Sequence, residues 1–559
     1  MRKLSSFFTT YYLSIISGIL IGTSYIPFPP WASFFCFIPL WRIWLKLGED
    51  SVSKTSPYKR IFFAGWLTQF VFTLIGFNWV ALTVHEFGYL PWPVAIITLI
   101  LFCSVANFDV PIAGVFWFYL QKKYNFSKHT SLALLAIVTA LSKTWALTLF
   151  PWNYGYTWLW SGLPIAQNAE LIGFQGLSII TILLNLGFYR VYEKWCAYKV
   201  NKTRTAKREL IANFLYPAII ILFLNLTGYI LLKSLPPSDQ ELKILAVQAN
   251  IGNLQKQYAE RGLGFREYIT ERYLNLSYKA MSSPEKLSNV DLMVWPETAY
   301  PYDLDQRLWS SLSGEKNYLA AARRLIDLTQ KLDTHLITGG YGFSPHDNKL
   351  TNTFFMVEKT GAIQPNPYYK TILLAFGEYL PGGDYFPRMK EWFPAVGDFS
   401  RGLGPQVKSL NIAESPHSEN SRDLLIGPLI CYEGLFSSLT RALSNQGAEV
   451  FINLTNDSWY GTWAEPYQHL YMTLARAIEF RRPIIRVTNT GITTVGLASG
   501  KTLAKSPLNS EWTGFYSIPY RTKPTATIYQ LYPWLMEALL IFMIVFIIGR
   551  ASLERFKKS

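Results

Sequence analysis

The stretch LLIGPLICYEGLF, from Leu424 to Phe436, predicts a buried strand that ends at a cysteine. Its Leu and Ile residues form a short apolar run of the kind found in buried strands, and Gly434 marks a tight corner just after Cys431. A thiol at such a corner can be held toward a reactant, although a cysteine in a strand is more commonly a small core residue. The place of Cys431 in the chain, and two residues upstream of it, favour the reactive interpretation.

The composition indicates a membrane protein. Of the 559 residues, 50% are hydrophobic and 16% are charged, whereas about 25% are charged in an average soluble protein. Several apolar runs reach the roughly 20 residues that a helix needs to cross a bilayer. The net charge of +15 comes from Lys and Arg clustered in short loops between apolar runs, so we expect no nucleic-acid partner.

Eight apolar runs predict eight membrane helices, seven before a long polar segment and one after it. They cover roughly 7–28, 31–47, 61–84, 92–120, 131–150, 164–189, 210–232 and 532–549. The first run is long and lacks a small-residue cleavage site, so we interpret it as a retained helix.

The loops between these runs predict an orientation. Loops rich in Lys and Arg alternate with loops that have neither, and the positive-inside rule places the basic loops in the cytoplasm. Both termini are then cytoplasmic. The predicted domains are residues 1–233 with seven helices, an extracytoplasmic α/β domain at 234–527, and a final helix with a basic cytoplasmic tail at 528–559.

Cys431 is the only cysteine of the predicted outer domain, because Cys36, Cys103 and Cys196 all precede it. Disulfides are favoured outside the cytoplasm, yet this thiol has no partner in its own domain. A lone cysteine in an enzyme-like domain is a candidate nucleophile. The sequence has no CxxC or HExxH motif, so we predict no metal.

Strand-like and helical runs alternate through the outer domain. The strand-like runs are 243–248, 291–295, 335–340, 353–357, 424–431, 449–454, 484–488 and 493–497, and the helical ones are 265–281, 317–332 and 468–481. Such alternation predicts α/β layers, in which catalytic residues tend to lie just past strand ends. Glu297 and Cys431 both do.

Glu297 and Lys370 can supply what the thiol lacks. A thiol is a weak nucleophile at its usual pKa of about 8.5 and needs a base or a cation beside it. Glu297 follows a buried strand and a proline and can accept the proton, while Lys370, among aromatic residues, can stabilise an oxyanion. Taken singly, a solvated loop acid and a surface lysine are the simpler interpretations, and spacing does not show that the three residues meet.

Three sequence blocks resemble the catalytic blocks of the nitrilase superfamily, in the order Glu, Lys, Cys. They are WPET at Trp295–Thr298, YYKTILLAFGEYLP at Tyr368–Pro381 and ICYEGLF at Ile430–Phe436. The longer blocks NLTNDSWYG, at Asn453–Gly461, and QHLYMTLARAIEFRRPIIRVTNTGIT, at Gln468–Thr493, also match.

A nitrilase-like domain between seven helices and a final helix resembles the bacterial apolipoprotein N-acyltransferase family. HEFGYLP at His85–Pro91 and PWNYGY at Pro151–Tyr156 resemble the membrane half of that family. The fold class that the resemblance implies is a polytopic α-helical membrane protein with an inserted α/β nitrilase-like domain, an αββα sandwich.

The resemblance also implies roles for individual residues. Glu297 would be the general base, Cys431 the nucleophile, and Lys370 the positive group at the tetrahedral intermediate. Glu378 matches an accessory acid that holds the lysine. Tyr432 and Glu433 match residues flanking the nucleophile that the family needs, and the Tyr432 N–H is a plausible oxyanion donor.

The implied reaction moves an acyl chain from a membrane phospholipid to the N-terminal amine of a lipoprotein's diacylglyceryl-cysteine, through a Cys431 thioester and without a cofactor. The expected partners are the phospholipid, the diacylated lipoprotein and the bilayer. We expect a monomer in a bacterial inner membrane, with its site on the periplasmic side.

Two other functions remain open on the residues alone. One is a membrane-tethered carbon–nitrogen hydrolase, an amidase that uses water as acceptor. The other is a transporter or scaffold with an inactive nitrilase-like domain. The intact Glu297, Lys370 and Cys431 count against the second, as does the small number of charges in the apolar runs, chiefly Asp109 and Lys143.

Residues 381–402 contain glycines and apolar aromatic rings. We interpret them as a mobile lid that dips into the membrane interface, where aromatic rings are favoured. The rings are Tyr385, Phe386, Trp392 and Phe393. A loop packed on its own domain is an equal alternative. Trp459 belongs to a second aromatic cluster with Tyr460 and Trp463, for which core packing is as good an interpretation as substrate contact.

Overall fold

A computed structural model describes residues 2–49, 56–145, 150–252, 264–302, 304, 316–347, 349–392, 396–413, 421–458 and 460–557. The chain divides into two compact units. One consists of Met1–His85, Tyr89–Ser234 and Leu531–Ser559, and the other of Glu86–Gly88 and Leu235–Gln530.

The first unit is built from helices. They are α1 (Arg2–Gly22), α2 (Ile38–Glu49), α3 (Pro57–Gly76), α4 (Trp79–Glu86), α5 (Trp92–Val105), α6 (Asp109–Tyr124), α7 (Lys128–Trp145), α8 (Tyr156–Trp160), α9 (Ala169–Asn201), α10 (Arg204–Lys233) and a helix near the C terminus, Leu535–Phe556. Each predicted apolar run overlaps at least one of them.

The helix lengths support some of the eight predicted membrane crossings but not all of them. Within the described residues, four helices are long and apolar enough to cross a membrane, or five if the bent pair α3 and α4 forms one span. The pair bends by 61°. With 12 residues, α2 is about 18 Å long, shorter than a hydrocarbon core of about 30 Å. The topology of eight crossings therefore stays a prediction.

The second unit contains two sheets with helices outside them. Its elements are β1 (Gln240–Gln248), α11 (Arg266–Met281), β2 (Leu292–Val294), α12 (Lys316–Leu332), β3 (His335–Phe343), β4 (Leu350–Val357), β5 (Tyr368–Tyr369), α13 (Arg388–Trp392), β6 (Lys408–Ala413), β7 (Ser421–Ile430), α14 (Ser437–Asn445), β8 (Val450–Thr455), α15 (Glu465–Phe480), β9 (Ile484–Thr488), β10 (Thr494–Gly496) and β11 (Trp512–Tyr520). A 3-10 turn, Cys431–Leu435, follows β7.

The strand orders are β11-β1-β2-β3-β4-β5 and β10-β9-β8-β7-β6. Apolar side chains of both sheets form one core, in which residues such as Ile244 and Ile337 meet Ile426 and Ile452. A second core lies on the outer face of the first sheet, where Leu325 of α12 packs with Leu336. The predicted αββα sandwich is confirmed.

Three strands were not predicted, β5, β6 and β11, and all three lie at sheet edges. β11 pairs with β1 over its whole length but contains Gly514 and Pro519, which weaken a strand pattern. Proline is tolerated at an edge because one side of the strand needs no hydrogen-bond donor. The predicted strand 424–431 ends one residue early, since Cys431 already belongs to the 3-10 turn.

Gly339 of β3 lets the strand lie against the turn that carries Glu297. A Cβ added at Gly339 would lie 2.7 Å from the Glu297 Cα and 2.8 Å from the Pro296 carbonyl oxygen. Both are backbone atoms of a buried turn, so the turn itself would have to move.

We therefore expect Gly339→Ala to lower the free energy of unfolding by about 1–3 kcal/mol, as overpacking typically does. Denaturant unfolding in detergent measures it. Gly549→Ala is the control, because a Cβ there meets nothing within 4 Å and alanine favours a helix. Equal stability of both variants would show that the turn at Glu297 relaxes freely.

Candidate active site

The structure brings Glu297, Lys370 and Cys431 together. Glu297 follows β2, Lys370 follows β5, and Cys431 follows β7. The Lys370 Nζ lies 3.5 Å from the Glu297 Oε1, and the charges of both residues act on the Cys431 thiol. All three side chains are buried, which the simpler interpretations of a solvated acid and a surface lysine did not expect.

Lys370 lies between two carboxylates. Its Nζ is 2.7 Å from the Glu378 Oε1, closer than it is to Glu297. Burial by itself lowers the pKa of Lys370, but the negative charges of Glu378 and Glu297 raise it, and the net pKa is above its ordinary value. Lys370 therefore remains a cation beside the thiol.

Glu378 is placed to hold the lysine. One of its oxygens binds the Lys370 Nζ, and the other accepts a hydrogen bond of 2.8 Å from the backbone N–H of Leu374. The Asn352 Nδ2 donates to the Glu297 Oε1 at 2.6 Å. It also lies 3.3 Å from the Glu378 Oε1, the oxygen that binds Lys370. The sequence did not single out Asn352, which stands between two threonines at the start of β4 and carries no pattern of its own.

Cys431 occupies a tight corner. Its φ angle is +51°, in the left-handed region that costs an L-residue roughly 1–2 kcal/mol. Burial raises the pKa of its thiol, and the charge of Glu297 raises it further, while Lys370 lowers it; the net pKa is above the ordinary value. The resting thiol is therefore protonated and needs a proton acceptor before it can attack a carbonyl.

Glu433 connects the cysteine corner with the loop after β5. Its Oε2 accepts the backbone N–H of Ile430 at 2.8 Å. Its Oε1 accepts the Tyr368 hydroxyl at 2.8 Å and the backbone N–H groups of Thr371 and Ile372 at 2.6 and 3.0 Å. The residues on either side of Cys431 and Lys370 are thereby tied to one carboxylate.

Burial raises the pKa of Glu433 to about 7, although the backbone hydrogen bonds and Lys370 oppose the shift. The neighbouring Tyr432 is also buried, and its ring packs edge-on against Phe436 with centroids 4.9 Å apart.

A buried polar network lies behind Cys431. The Asp457 Oδ2 is 2.6 Å from Arg486 and its Oδ1 is 2.8 Å from the His469 Nδ1. Arg486 also donates to the Asn453 Oδ1 at 3.0 Å. These residues lie in the sequence blocks Asn453–Gly461 and Gln468–Thr493. The sequence predicted no role for them, because isolated polar residues on a strand or helix carry no spacing signal.

Three residues of this region could in principle hold a cation. Ligand atoms of Asp457, Glu465 and His469 lie within 4.8 Å of one another. The Arg486 guanidinium already binds Asp457, and a second positive charge there would be repelled. The residues therefore do not fit a metal ion, and the expectation of a metal-free reaction stays a prediction.

Three of the four predicted lid rings are described and all three are exposed, whereas Phe399 of the same segment is half-buried. Tyr385, Phe386 and Trp392 expose 86%, 67% and 72% of their surface; Phe393 and Trp459 lie outside the described residues. The C-terminal end of the segment is bound to the loop that carries Lys370 and Glu378, through hydrogen bonds from the backbone N–H groups of Phe399 and Gly402.

Two family models match parts of this chain. A family model for the carbon-nitrogen hydrolases matches residues 243–519, and a model for the N-terminal domain of apolipoprotein N-acyltransferases matches residues 17–187. Saccharomyces cerevisiae Nit3, a member of branch 10 of the nitrilase superfamily, has a solved structure that covers 53% of this chain and 94% of its own, with 16% identity and a TM-score of 0.35.

Whole-chain relatives are more informative. An apolipoprotein N-acyltransferase of Bdellovibrio bacteriovorus is 41% identical over 547 residues, 97% of this chain and 94% of the relative. That of Geobacter metallireducens is 28% identical over 509 residues, 90% of this chain and 88% of the relative.

Fold and site together define an enzyme of the nitrilase superfamily whose carbon-nitrogen hydrolase domain is joined to a unit of apolar helices. The matched length and identity narrow this class further. The chain belongs to the apolipoprotein N-acyltransferase family.

Glu433→Gln tests the tie between the two parts of the site. An amide cannot accept hydrogen bonds at both ends, so at least one buried donor loses its partner, which costs about 1–3 kcal/mol. We expect lower stability and slower acylation of Cys431, measured by thermal unfolding and by intact mass after incubation with phospholipid.

The raised pKa of Glu433 predicts that the effect of Glu433→Gln on stability depends on pH. Because the pKa of folded Glu433 is about 7 and its ordinary value is 4.5, the folded chain binds the proton more tightly than the unfolded chain. This contribution to stability is complete below pH 4.5 and is lost as the pH rises to about 7. The stability difference between wild type and Glu433→Gln should be larger near pH 5.5 than near pH 8; a constant difference would contradict the raised pKa.

Proposed function

We propose that the chain transfers an acyl chain from a membrane phospholipid to the N-terminal amine of the diacylglyceryl-cysteine of a lipoprotein. The observation that carries the proposal is the buried cluster of Glu297, Lys370 and Glu378 beside Cys431. Membership of the family supports N-acylation of a lipoprotein acceptor, because its members are apolipoprotein N-acyltransferases. The phospholipid donor is part of the proposal.

In the first half-reaction, Glu297 takes the proton of Cys431 and the thiolate attacks the sn-1 ester carbonyl of the phospholipid. Lys370 and the Tyr432 N–H stabilise the negative oxygen of the tetrahedral intermediate. Glu297 then returns the proton to the leaving alkoxide, so that a lysophospholipid departs and an acyl thioester remains.

In the second half-reaction, the neutral α-amine of the lipoprotein attacks the thioester carbonyl. Glu297 accepts the proton of the attacking amine and passes it to the Cys431 sulfur as the sulfur leaves. An amide forms and the free thiol is restored. The raised pKa of Lys370 suits both steps, since the cation does not compete with Glu297 for the proton.

We propose in addition that the apolar helices place this chemistry at the outer leaflet of a bacterial inner membrane. In this arrangement residues 234–527 face the periplasm, and both termini are cytoplasmic. The basic loops that alternate with loops lacking Lys and Arg support the orientation. We propose a monomer as the active form.

Intact mass of the purified chain tests the covalent step. After incubation with a phospholipid of known acyl chains, we expect wild type to gain the mass of one acyl group and Cys431→Ala to gain none. Adding a diacylated lipopeptide should remove the adduct and yield a triacylated peptide. Loss of the adduct with release of free fatty acid alone would instead favour the hydrolase that uses water.

The exposed rings of 381–402 are proposed to contact lipid at the interface. Exposed aromatic side chains on a folded domain are favoured at the level of the head groups, and Phe386 and Trp392 are the most accessible of the segment together with Tyr385.

Replacing Phe386 and Trp392 together with Ser should lower turnover of phospholipid several-fold while sparing a soluble ester such as p-nitrophenyl butyrate. The matched control is Phe265→Ser with Tyr268→Ser, an exposed aromatic pair elsewhere in the same unit, for which we expect no selective loss. An equal loss on both substrates would count against lipid contact by this segment.

A further inference from the structure

Asn453 of β8 has a side chain whose orientation is determined by its neighbour. Arg486 donates to the Asn453 Oδ1 at 3.0 Å, and a guanidinium can only donate hydrogen bonds. The carbonyl end of the amide therefore faces Arg486, and the NH₂ end faces the other way. Arg486 is itself held by Asp457 at 2.6 Å, with every member of this chain of contacts buried.

The NH₂ end of Asn453 reaches the backbone of the candidate nucleophile. Its Nδ2 lies 3.2 Å from the Cys431 carbonyl oxygen. The His469 Nε2 lies 3.4 Å from the same oxygen, but burial and Arg486 lower the pKa of His469. The His469 Nδ1 faces the Asp457 Oδ1 at 2.8 Å, and a ring with its single proton there has none on Nε2. The Asn453 Nδ2 is the nearer donor to this carbonyl.

Holding this carbonyl has a consequence on the far side of the same peptide unit. A trans peptide is planar, and its C=O and N–H point in opposite directions. The carbonyl of Cys431 and the N–H of Tyr432 belong to one such unit. Fixing the carbonyl toward Asn453 therefore fixes the Tyr432 N–H toward the opposite side.

The peptide needs such a restraint because it follows a strained residue. Cys431 has a φ angle of +51°, and residues held in this region persist only where their surroundings determine the conformation. Rotation of the Cys431–Tyr432 peptide plane changes the ψ angle of Cys431 and the φ angle of Tyr432, and it would turn the Tyr432 N–H away.

We propose that Asn453 is a positioning residue that aims the Tyr432 N–H at the oxyanion by anchoring the Cys431 carbonyl. Arg486, held by Asp457, acts one step further back by orienting the Asn453 amide. The inference rests on the proposed function, because it assigns the oxyanion to acyl transfer at Cys431. It concerns groups that never touch the substrate.

Asn453→Leu is the variant that tests this role. Leucine has the same branched arrangement of side-chain heavy atoms, although its methyl groups are larger. It brings no charge and removes the donor, and Arg486 keeps its contacts with Thr473 and Asp457. Two rates are measured on the full chain in detergent: acylation of Cys431 by 1-palmitoyl-2-oleoyl phosphatidylethanolamine, which passes through an oxyanion, and alkylation by iodoacetamide, which does not.

We expect acylation to fall by about 10²-fold, the scale of losing one oxyanion donor, while alkylation stays within about twofold. Asn411→Leu, on the exposed edge strand β6, is the matched control and should change neither rate. A parallel fall of both rates would mean that Asn453 only holds the thiol in place. An unchanged acylation rate would mean that Asn453 does not orient the Tyr432 N–H. Either result overturns the inference.

A failure of the inference is distinguishable from a failure of the proposed function. If wild type forms no acyl adduct, the function itself is wrong. If Asn453→Leu does not fold, Asn453→Asp answers the same question, because it keeps the acceptor for Arg486 and loses the donor. The alkylation rate of this variant is measured as a function of pH, so that both the acylation rate and the alkylation rate can be divided by the fraction of thiolate. We expect the same difference between the two rates as for Asn453→Leu.

Discussion

The geometry of the site depends on the four hydrogen bonds that Glu433 accepts. Its partners come from the end of β7 in one sheet and from the loop after β5 in the other. A single carboxylate thus links the two sheets at the point where the thiol and the lysine meet. Because the carboxylate is fully buried, its hydrogen bonds do not compete with water, and a change in either sheet is transmitted to the other.

The charges of the site keep Lys370 as a cation and Cys431 as a neutral thiol. Lys370 is stabilised as a cation by Glu378 and Glu297, and buried charges are tolerated only when they are paired in this way. The Cys431 thiol, by contrast, is buried and close to a carboxylate, and it rests as the neutral acid. The cysteine therefore has a carboxylate and a cation beside it, but it is not a free thiolate that would react with any electrophile.

The sequence predicted most of the strands and helices that carry the site, because β2, β3, β4 and β7 contain short apolar runs and their neighbours α11 and α12 have helical spacing. It missed β5, a strand of two residues, as well as β6 and β11. All three are edge strands, and an edge position leaves one side without burial and so without a clear apolar pattern. It also missed Asn352 and Asn453. A polar residue inside a strand is ordinary in sequence, and its importance appears only when its hydrogen-bond partners are known.

By itself, the sequence determined that Glu297, Lys370 and Cys431 are candidates for one reaction, since each stands in a block with its own chemical signature, and it determined that apolar helices flank the domain. Only the tertiary structure decided that the three side chains meet, with Lys370 between Glu297 and Glu378, and that Cys431 adopts a left-handed corner anchored through Asn453. The reason is physical: strand and helix patterns arise from contacts near in sequence, whereas a site assembled from three strand ends and two sheets arises from contacts between residues far apart in the chain.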